Sequence, residues 1–192
     1  GVQVPAELAL ALARLSAQRI GALVVVEQQG SLDSHIVKGA PLDAQVSASL
    51  LESLFFPGSA LHDGAVIVRG ARIMAAGVFL PLTAERRDPV LGRLLGARHR
   101  AALGITSVSD AVAFVVSEES GHIAVAHHGL LHHAVPIDAM LGSDRGASGT
   151  PPPSGAPRPE RSWWQRLRRR WRSRGRGRGD QKNDETARGG VL

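Results

Sequence analysis

Apolar positions fall into two periodicities along this chain. Leu8, Leu12 and Leu15 recur at helical spacing in an Ala-rich stretch with Pro5 near its start, which predicts a helix over Ala6–Gln18. Ile20–Glu27 is a short Val-rich run and reads as a buried strand. A turn containing Gly30 follows over Gln28–Ser34, then a brief strand at His35–Lys38 that Gly39-Ala40-Pro41 ends. Leu50, Leu51, Leu54 and Phe55 give Ser47–Phe56 one apolar helical face, and Pro57-Gly58 stops it. Ala65–Arg69 and Arg72–Leu80 read as strands, with Gly70-Ala71 short enough for a hairpin.

Pro81–Asp88 is a polar loop, and Val90–Leu103 reads as a helix with weak points at Gly92, Gly96 and Gly104. Ala111–Ser117 and His122–Ala126 are two further strands turning at Ser120-Gly121. Hairpins mixed with longer crossings predict an α/β fold: a single domain with a central mixed sheet flanked by helices.

Composition divides the chain. Residues 1–142 hold 10 Lys and Arg against 12 Asp and Glu, whereas residues 143–192 hold 13 against 5. The net charge of +6 is therefore carried by the C-terminal part. We read residues 1–142 as the folded domain, 143–160 as a Gly/Pro/Ser-rich disordered linker, and 161–192 as an Arg/Trp-rich basic tail. Within the tail, Trp163, Leu167 and Trp171 recur at i, i+4, i+8 among arginines. That pattern suits an anionic membrane surface. It also suits nucleic acid, or a solvated extension with no partner. With no cysteine, a disulfide framework and a thiolate zinc site are both excluded. No apolar run reaches the roughly 18 residues that span a bilayer.

Three runs carry candidate chemistry. Leu61–Ala65 (LHDGA) sets His62, Asp63 and Gly64 side by side where a strand begins. An imidazole next to a carboxylate can hold a divalent metal, and a glycine admits close backbone approach. Gly96–Arg100 (GARHR) places Arg98, His99 and Arg100 on a helix, and guanidiniums hold phosphates. Residues two apart on a helix point about 200° away from each other, so the two arginines serve different faces. Ser117-Glu118-Glu119-Ser120-Gly121 closes a strand with a hydroxyl and two carboxylates. Each run also has a plain structural use, as a turn or a solvated helix face. His127, His128, His132 and His133 come without a carboxylate or cysteine and read as surface histidines.

In this order and spacing, together with Ile20-Gly21-Ala22-Leu23 and Leu80-Pro81-Leu82, these runs resemble the signature motifs of diadenylate cyclase domains, membrane-type cyclic di-AMP synthases, over roughly residues 6 to 141. The resemblance implies a nucleotidyltransferase that condenses two ATP into cyclic di-AMP and two pyrophosphates, with Mg²⁺ or Mn²⁺ as cofactor. Each 3′-hydroxyl attacks the other nucleotide's α-phosphate across a face-to-face homodimer. It implies Asp63, Gly64, Arg98, His99 and Arg100 as catalytic, and His62 with Asp63 as metal ligands. It implies Gly77, Phe79, Leu80, Ala97, Ser117 and Glu118 around ATP. Many family members carry Thr where this chain has Ala97, so a phosphate hydrogen bond worth about 0.5–1.5 kcal/mol is lacking here. The implied location is a cytoplasmic domain associated with a membrane, any transmembrane helices lying ahead of this chain. The alternative is a nucleotide-sensing or RNA-binding module without turnover.

Overall fold

The computed structural model of the chain describes residues 5–88, 92–133 and 135. The linker and tail segments, 143–160 and 161–192, lie outside the described residues. The described elements are α1 (Ala6–Ala17), β1 (Ala22–Val26), α2 (Asp33–Ile36), β2 (Ala40–Gln45), α3 (Ala48–Phe55), β3 (Ala65–Arg69), β4 (Arg72–Val78), α4 (Ala97–Val108), β5 (Val112–Val116), β6 (Ile123–His127) and β7 (Leu130–His132).

The strands form one seven-stranded sheet in the order β2-β4-β3-β1-β5-β6-β7. Only β1 and β3 pair in parallel; the other neighbours are antiparallel. The mixed sheet expected from the sequence is therefore present. The run that predicted β1 is buried at every position, because the strand sits mid-sheet with helices on both faces. Ala22, Val24 and Val26 join α1 and α3 in one core layer through Leu8, Leu12, Leu51 and Phe55. Leu23 and Val25 face the other way, into a layer with Ala101, Ala102 and Ile105 of α4 and Leu32 beside α2. This two-residue alternation makes a three-layer sandwich with the sheet in the middle.

Three expectations require correction. The segment expected as a strand at 35–38 belongs to helix α2 and the turn after it, and the strand begins at Ala40, where Gly39-Ala40-Pro41 was read as a terminator. β2 is an edge strand with alternating half-buried and exposed positions, so it shows no apolar run and tolerates Pro41. The second helix of the site starts at Ala97 rather than Val90, and it continues through Gly104 to Val108. Gly104 is an interior helix position whose added Cβ would lie 2.0 Å from the Pro81 carbonyl oxygen; the loop packs directly on the helix backbone there. Finally, β7 was not anticipated. The turn at His128-Gly129 has positive φ at both residues (49° and 70°), which closes a tight β6–β7 hairpin.

No described helix is long and apolar enough to cross a membrane.

Candidate active site

Strand register determines which loops meet. Ala22 pairs with Val116, Val24 with Val66, and Ala65 with Val78. The start of β1, the start of β3, the end of β4 and the end of β5 therefore share one end of the sheet. Continuing the β1–β3 register by two residues from Val24↔Val66 sets Gly64 beside Ala22, so the Asp63 turn and Ser117 stand two strand spacings apart, about 10 Å.

The first side of the site is the turn before β3. Asp63 is 76% exposed, so its carboxylate faces solvent rather than satisfying the turn. His62 Nδ1 lies 2.5 Å from the Ser59 carbonyl oxygen, an acceptor only, which places the ring proton on Nδ1. The Nε2 lone pair then faces outward, 4.0 Å from Asp63 Oδ1. A backbone carbonyl that fixes the tautomer of an adjacent ligand is the usual support of a metal-binding histidine. Gly64 has φ +97°, and a Cβ there would stand 2.8–2.9 Å from the backbone of Gly77 and Val78. Only glycine permits this contact between the Asp63 turn and the end of β4. Gly77 itself lies against the Asp63 carbonyl and Leu61.

The second side is the N-terminus of α4. Gly96 caps the helix without a side chain, so no cap side chain takes up the first N–H groups. Arg98 Nη1 donates to Glu118 Oε2 at 2.8 Å, tying the helix start to the loop after β5. Arg98 Nε is buried with no hydrogen-bond partner among the described residues. Gly21 underlies this pair: a Cβ at that position would meet Arg98 Nη1 at 2.6 Å and Glu118 Oε2 at 2.8 Å.

Arg100 points elsewhere, as the helical spacing requires. Its Nε and Nη2 both donate to the Thr83 carbonyl, at 3.2 and 2.9 Å, and hold the loop after β4 onto α4. The two arginines thus serve different faces, as their spacing implies: Arg98 borders the site, and Arg100 anchors its wall. His99 turns inward, its ring centroid 6.4 Å from that of His133. Burial, then the neighbouring His133, push its pKa below the ordinary 6.5.

Phe79 is 69% exposed at this end, leaving its ring face open, whereas Leu80 is buried beneath in the α4-side core. Ala97 is exposed in the first turn of α4. Ser117 Oγ accepts from Ser120 N and shapes the β5–β6 turn. Sequence reading missed Gly21, Thr83, Asp88 and His133. It also placed His133 on the surface, whereas His133 Nε2 meets the buried Asp88 carboxylate. The sequence signal was a lone Asp ending a polar loop, with nothing to connect it to a histidine 45 positions later. Among the described residues no three His, Asp or Glu side chains group around one metal position.

An exposed carboxylate beside an imidazole, a guanidinium and an uncapped helix start gather at one end of the sheet, a set of groups suited to a phosphate-bearing ligand such as a nucleotide. The DAC family model, described as DisA bacterial checkpoint controller nucleotide-binding, matches residues 9–131, and the chain belongs to that family.

Similar proteins include the cyclic di-AMP synthase CdaS of Bacillus subtilis (strain 168), 46% identical over 126 residues, which are 66% of this chain and 59% of that protein. A diadenylate cyclase of Listeria monocytogenes serotype 1/2a (strain 10403S) is 45% identical over 121 residues, 63% of this chain and 43% of that protein. The chain thus matches well under two thirds of these relatives' length. Among solved structures, a double mutant of DacA from Staphylococcus aureus aligns with TM-score 0.65 at 40% identity, over 69% of this chain and 87% of that one. A hypothetical membrane spanning protein from Bacillus cereus aligns with TM-score 0.63 at 44% identity, over 68% and 63%.

Proposed function

We propose that residues 1–142 form a diadenylate cyclase domain that condenses two ATP into cyclic di-AMP and two pyrophosphates. The observation that carries this reading is that an exposed Asp63 and a Glu118-oriented Arg98 lie at the same end of the sheet. Family membership and the names of the similar proteins support the same reaction.

In each half-reaction a 3′-hydroxyl oxygen bonds to the α-phosphorus of the other nucleotide. The bond from that phosphorus to the pyrophosphate oxygen breaks, and the hydroxyl proton is lost. Asp63 is placed to receive that proton or to draw the hydroxyl toward attack. Arg98 and the first N–H groups of α4 face the phosphate oxygens of bound ATP and hold the nucleotide, with Glu118 and the helix keeping them oriented beforehand. Phe79 offers a face for adenine. Arg100 keeps the wall formed by residues 81–83 in place.

The donors of His62 and Asp63 suit Mg²⁺ or Mn²⁺: two protein ligands leave positions for phosphate oxygens, the usual arrangement for such ions on nucleotides. When bound, the ion supplies positive charge that acidifies the hydroxyl and neutralises phosphate. One domain presents one such end, so cyclisation of two nucleotides requires a second copy facing the first. The domain then works as a homodimer at a cytoplasmic membrane surface.

Incubation with ATP and Mn²⁺, followed by chromatography, should yield cyclic di-AMP and pyrophosphate. Asp63→Asn should abolish product while ATP is still bound. Activity per subunit should fall on dilution. Absence of product with either metal overturns the cyclase reading, and concentration-independent specific activity overturns the dimer.

A further inference from the structure

The segment between β4 and α4 is an excursion folded on itself. Asp88 N donates to Arg93 O, Gly92 N to Asp88 O and Leu95 N to Arg86 O, all at 2.8–2.9 Å. Arg87 and Leu94 bridge in antiparallel fashion. This excursion ends at Gly96, the cap of α4, so its position sets where Arg98 begins. Residues 81–83 are held by Arg100, through the Thr83 carbonyl and through Thr83 N donating to Arg100 O at 3.1 Å. On the far side, the Asp88 carboxylate, 1% exposed, meets His133 Nε2 just past β7.

A carboxylate so buried is stable only when hydrogen-bonded or paired. Its partner is fixed to the rigid edge of the sheet, because β7 pairs with β6 through Val125↔His132. The His133 ring also stands near that of His99, in the first turn of α4, with centroids 6.4 Å apart. Sheet edge, loop and helix start therefore meet at these three side chains.

We propose that Asp88 and His133 are positioning residues for nucleotide binding: their buried contact clamps the loop that carries Asp88 to the sheet edge and, through His99, fixes the first turn of α4 so that Arg98 stays aimed at phosphate. This rests on the cyclase reading for its substrate. Neither residue borders the Asp63 turn, so the clamp acts on nucleotide affinity rather than on the chemical step.

The test is steady-state cyclase kinetics of the full chain, with the Kd for a non-hydrolysable ATP analogue and a thermal melt for each variant. His133→Ala should raise KM and Kd roughly 10-fold, the range of one lost hydrogen bond to a charged group, with kcat within about threefold. His133→Gln, which returns an N–H near the Nε2 position, should restore most of the affinity. Asp88→Asn should weaken binding as His133→Ala does, and the Asp88→Asn/His133→Ala double variant should be little worse than either single.

If His133→Ala does not fold, His133→Gln and Asp88→Asn decide the matter by the same ratio. Folded variants whose Kd and KM stay within twofold of the parent overturn the proposal, as does a loss confined to kcat. A parent chain that binds the analogue but makes no cyclic di-AMP overturns the cyclase reading alone, and the Kd comparison still decides on the clamp.

Discussion

Gly21→Ala separates stability from function more sharply than any change to a charged residue. Gly21 is buried just before β1, and the atoms its new Cβ would meet are the ends of two side chains, Arg98 Nη1 at 2.6 Å and Glu118 Oε2 at 2.8 Å. Neither is backbone, so the conflict resolves by swinging the guanidinium and carboxylate aside. The stability consequence is small. The ion pair is largely exposed on the Glu118 side and is worth at most about 1 kcal/mol. Replacing Gly by Ala in an extended segment recovers roughly 0.5–1 kcal/mol of backbone entropy. The two contributions oppose, and the melting temperature should move by only a few degrees. Function should respond differently. A displaced Arg98 loses a charge-assisted contact to phosphate worth about 1.5–3 kcal/mol, or roughly 10- to 150-fold in ATP affinity. The assay is a urea titration beside a nucleotide-binding titration on the same preparation. A variant that binds ATP as well as the parent would refute the placement of Arg98 at the phosphate. One that loses more than about 3 kcal/mol of stability would refute the claim that this contact is adjustable.

Gly64→Ala should do the opposite, because both the positive φ and the contacts with the Gly77–Val78 backbone are unyielding. Strain of about 1–2 kcal/mol plus overpacking of about 1–3 kcal/mol predicts a melting temperature lower by roughly 6–20 °C, and an unchanged melt would contradict the contact. Glu27→Gln, at the other end of the sheet, weakens the bonds from Arg69 Nε (2.7 Å), Arg69 Nη2 (3.0 Å) and Leu32 N (3.0 Å). Because Arg69 is 39% exposed, the expected cost is a screened 1–2 kcal/mol (approximately), with ATP affinity unaltered when measured well below the melt. Acid should destabilise the fold through His99 and His132. Burial, then repulsion from His133, lowers both pKa values from 6.5, so the unfolded chain binds more protons just below that pH. Their contribution is complete above pH 6.5 and is lost as pH falls toward the lowered folded values, at no more than about 1.4 kcal/mol per pH unit per group. Melts from pH 8 to 5 should show this slope, and His99→Gln should flatten it; a parallel curve would count against the burial of that ring.

The sequence shows an element clearly where one physical signal dominates. β1 is legible because a strand covered on both faces needs an unbroken apolar run, and Ala22–Val26 is one. α3 is legible because Ser47 accepts from Leu50 N at its start and Pro57-Gly58 follows its end. β2 hides because an edge strand may contain Pro41 and a positive-φ Asp43, both of which read locally as breakers. The start of α4 was misplaced because Val90 and Leu91 extend an apolar pattern that the Gly92 turn interrupts. At the site, motif resemblance marks Asp63, Arg98 and Glu118, but a linear pattern carries no pairing. That Arg98 joins Glu118 while Arg100 joins Thr83 depends on helix phase and on a loop packed at Gly104. The Asp88–His133 contact links a loop to a strand no pattern had announced.

The two ends of the sheet show why stability and function separate. Where β1 and β3 finish, Glu27 is 9% exposed and gathers Arg69 and the Leu32 N–H, Arg69 also binds Asp33, and Asp110 accepts from the N–H groups of Gln29 and Gly30. Charges there are matched to partners within the chain. Where the same strands begin, Asp63 is open to solvent and Arg98 has a buried Nε without an acceptor among the described residues. Arg98 Nη1 is held by Glu118, but a buried donor such as its Nε, left without an acceptor, costs about 1–3 kcal/mol, so this end is less fully satisfied than the other. The parallel β1–β3 register makes this division possible: it puts both strand starts on one side and both strand ends on the other, so one end can close the fold while the other keeps polar groups open to solvent.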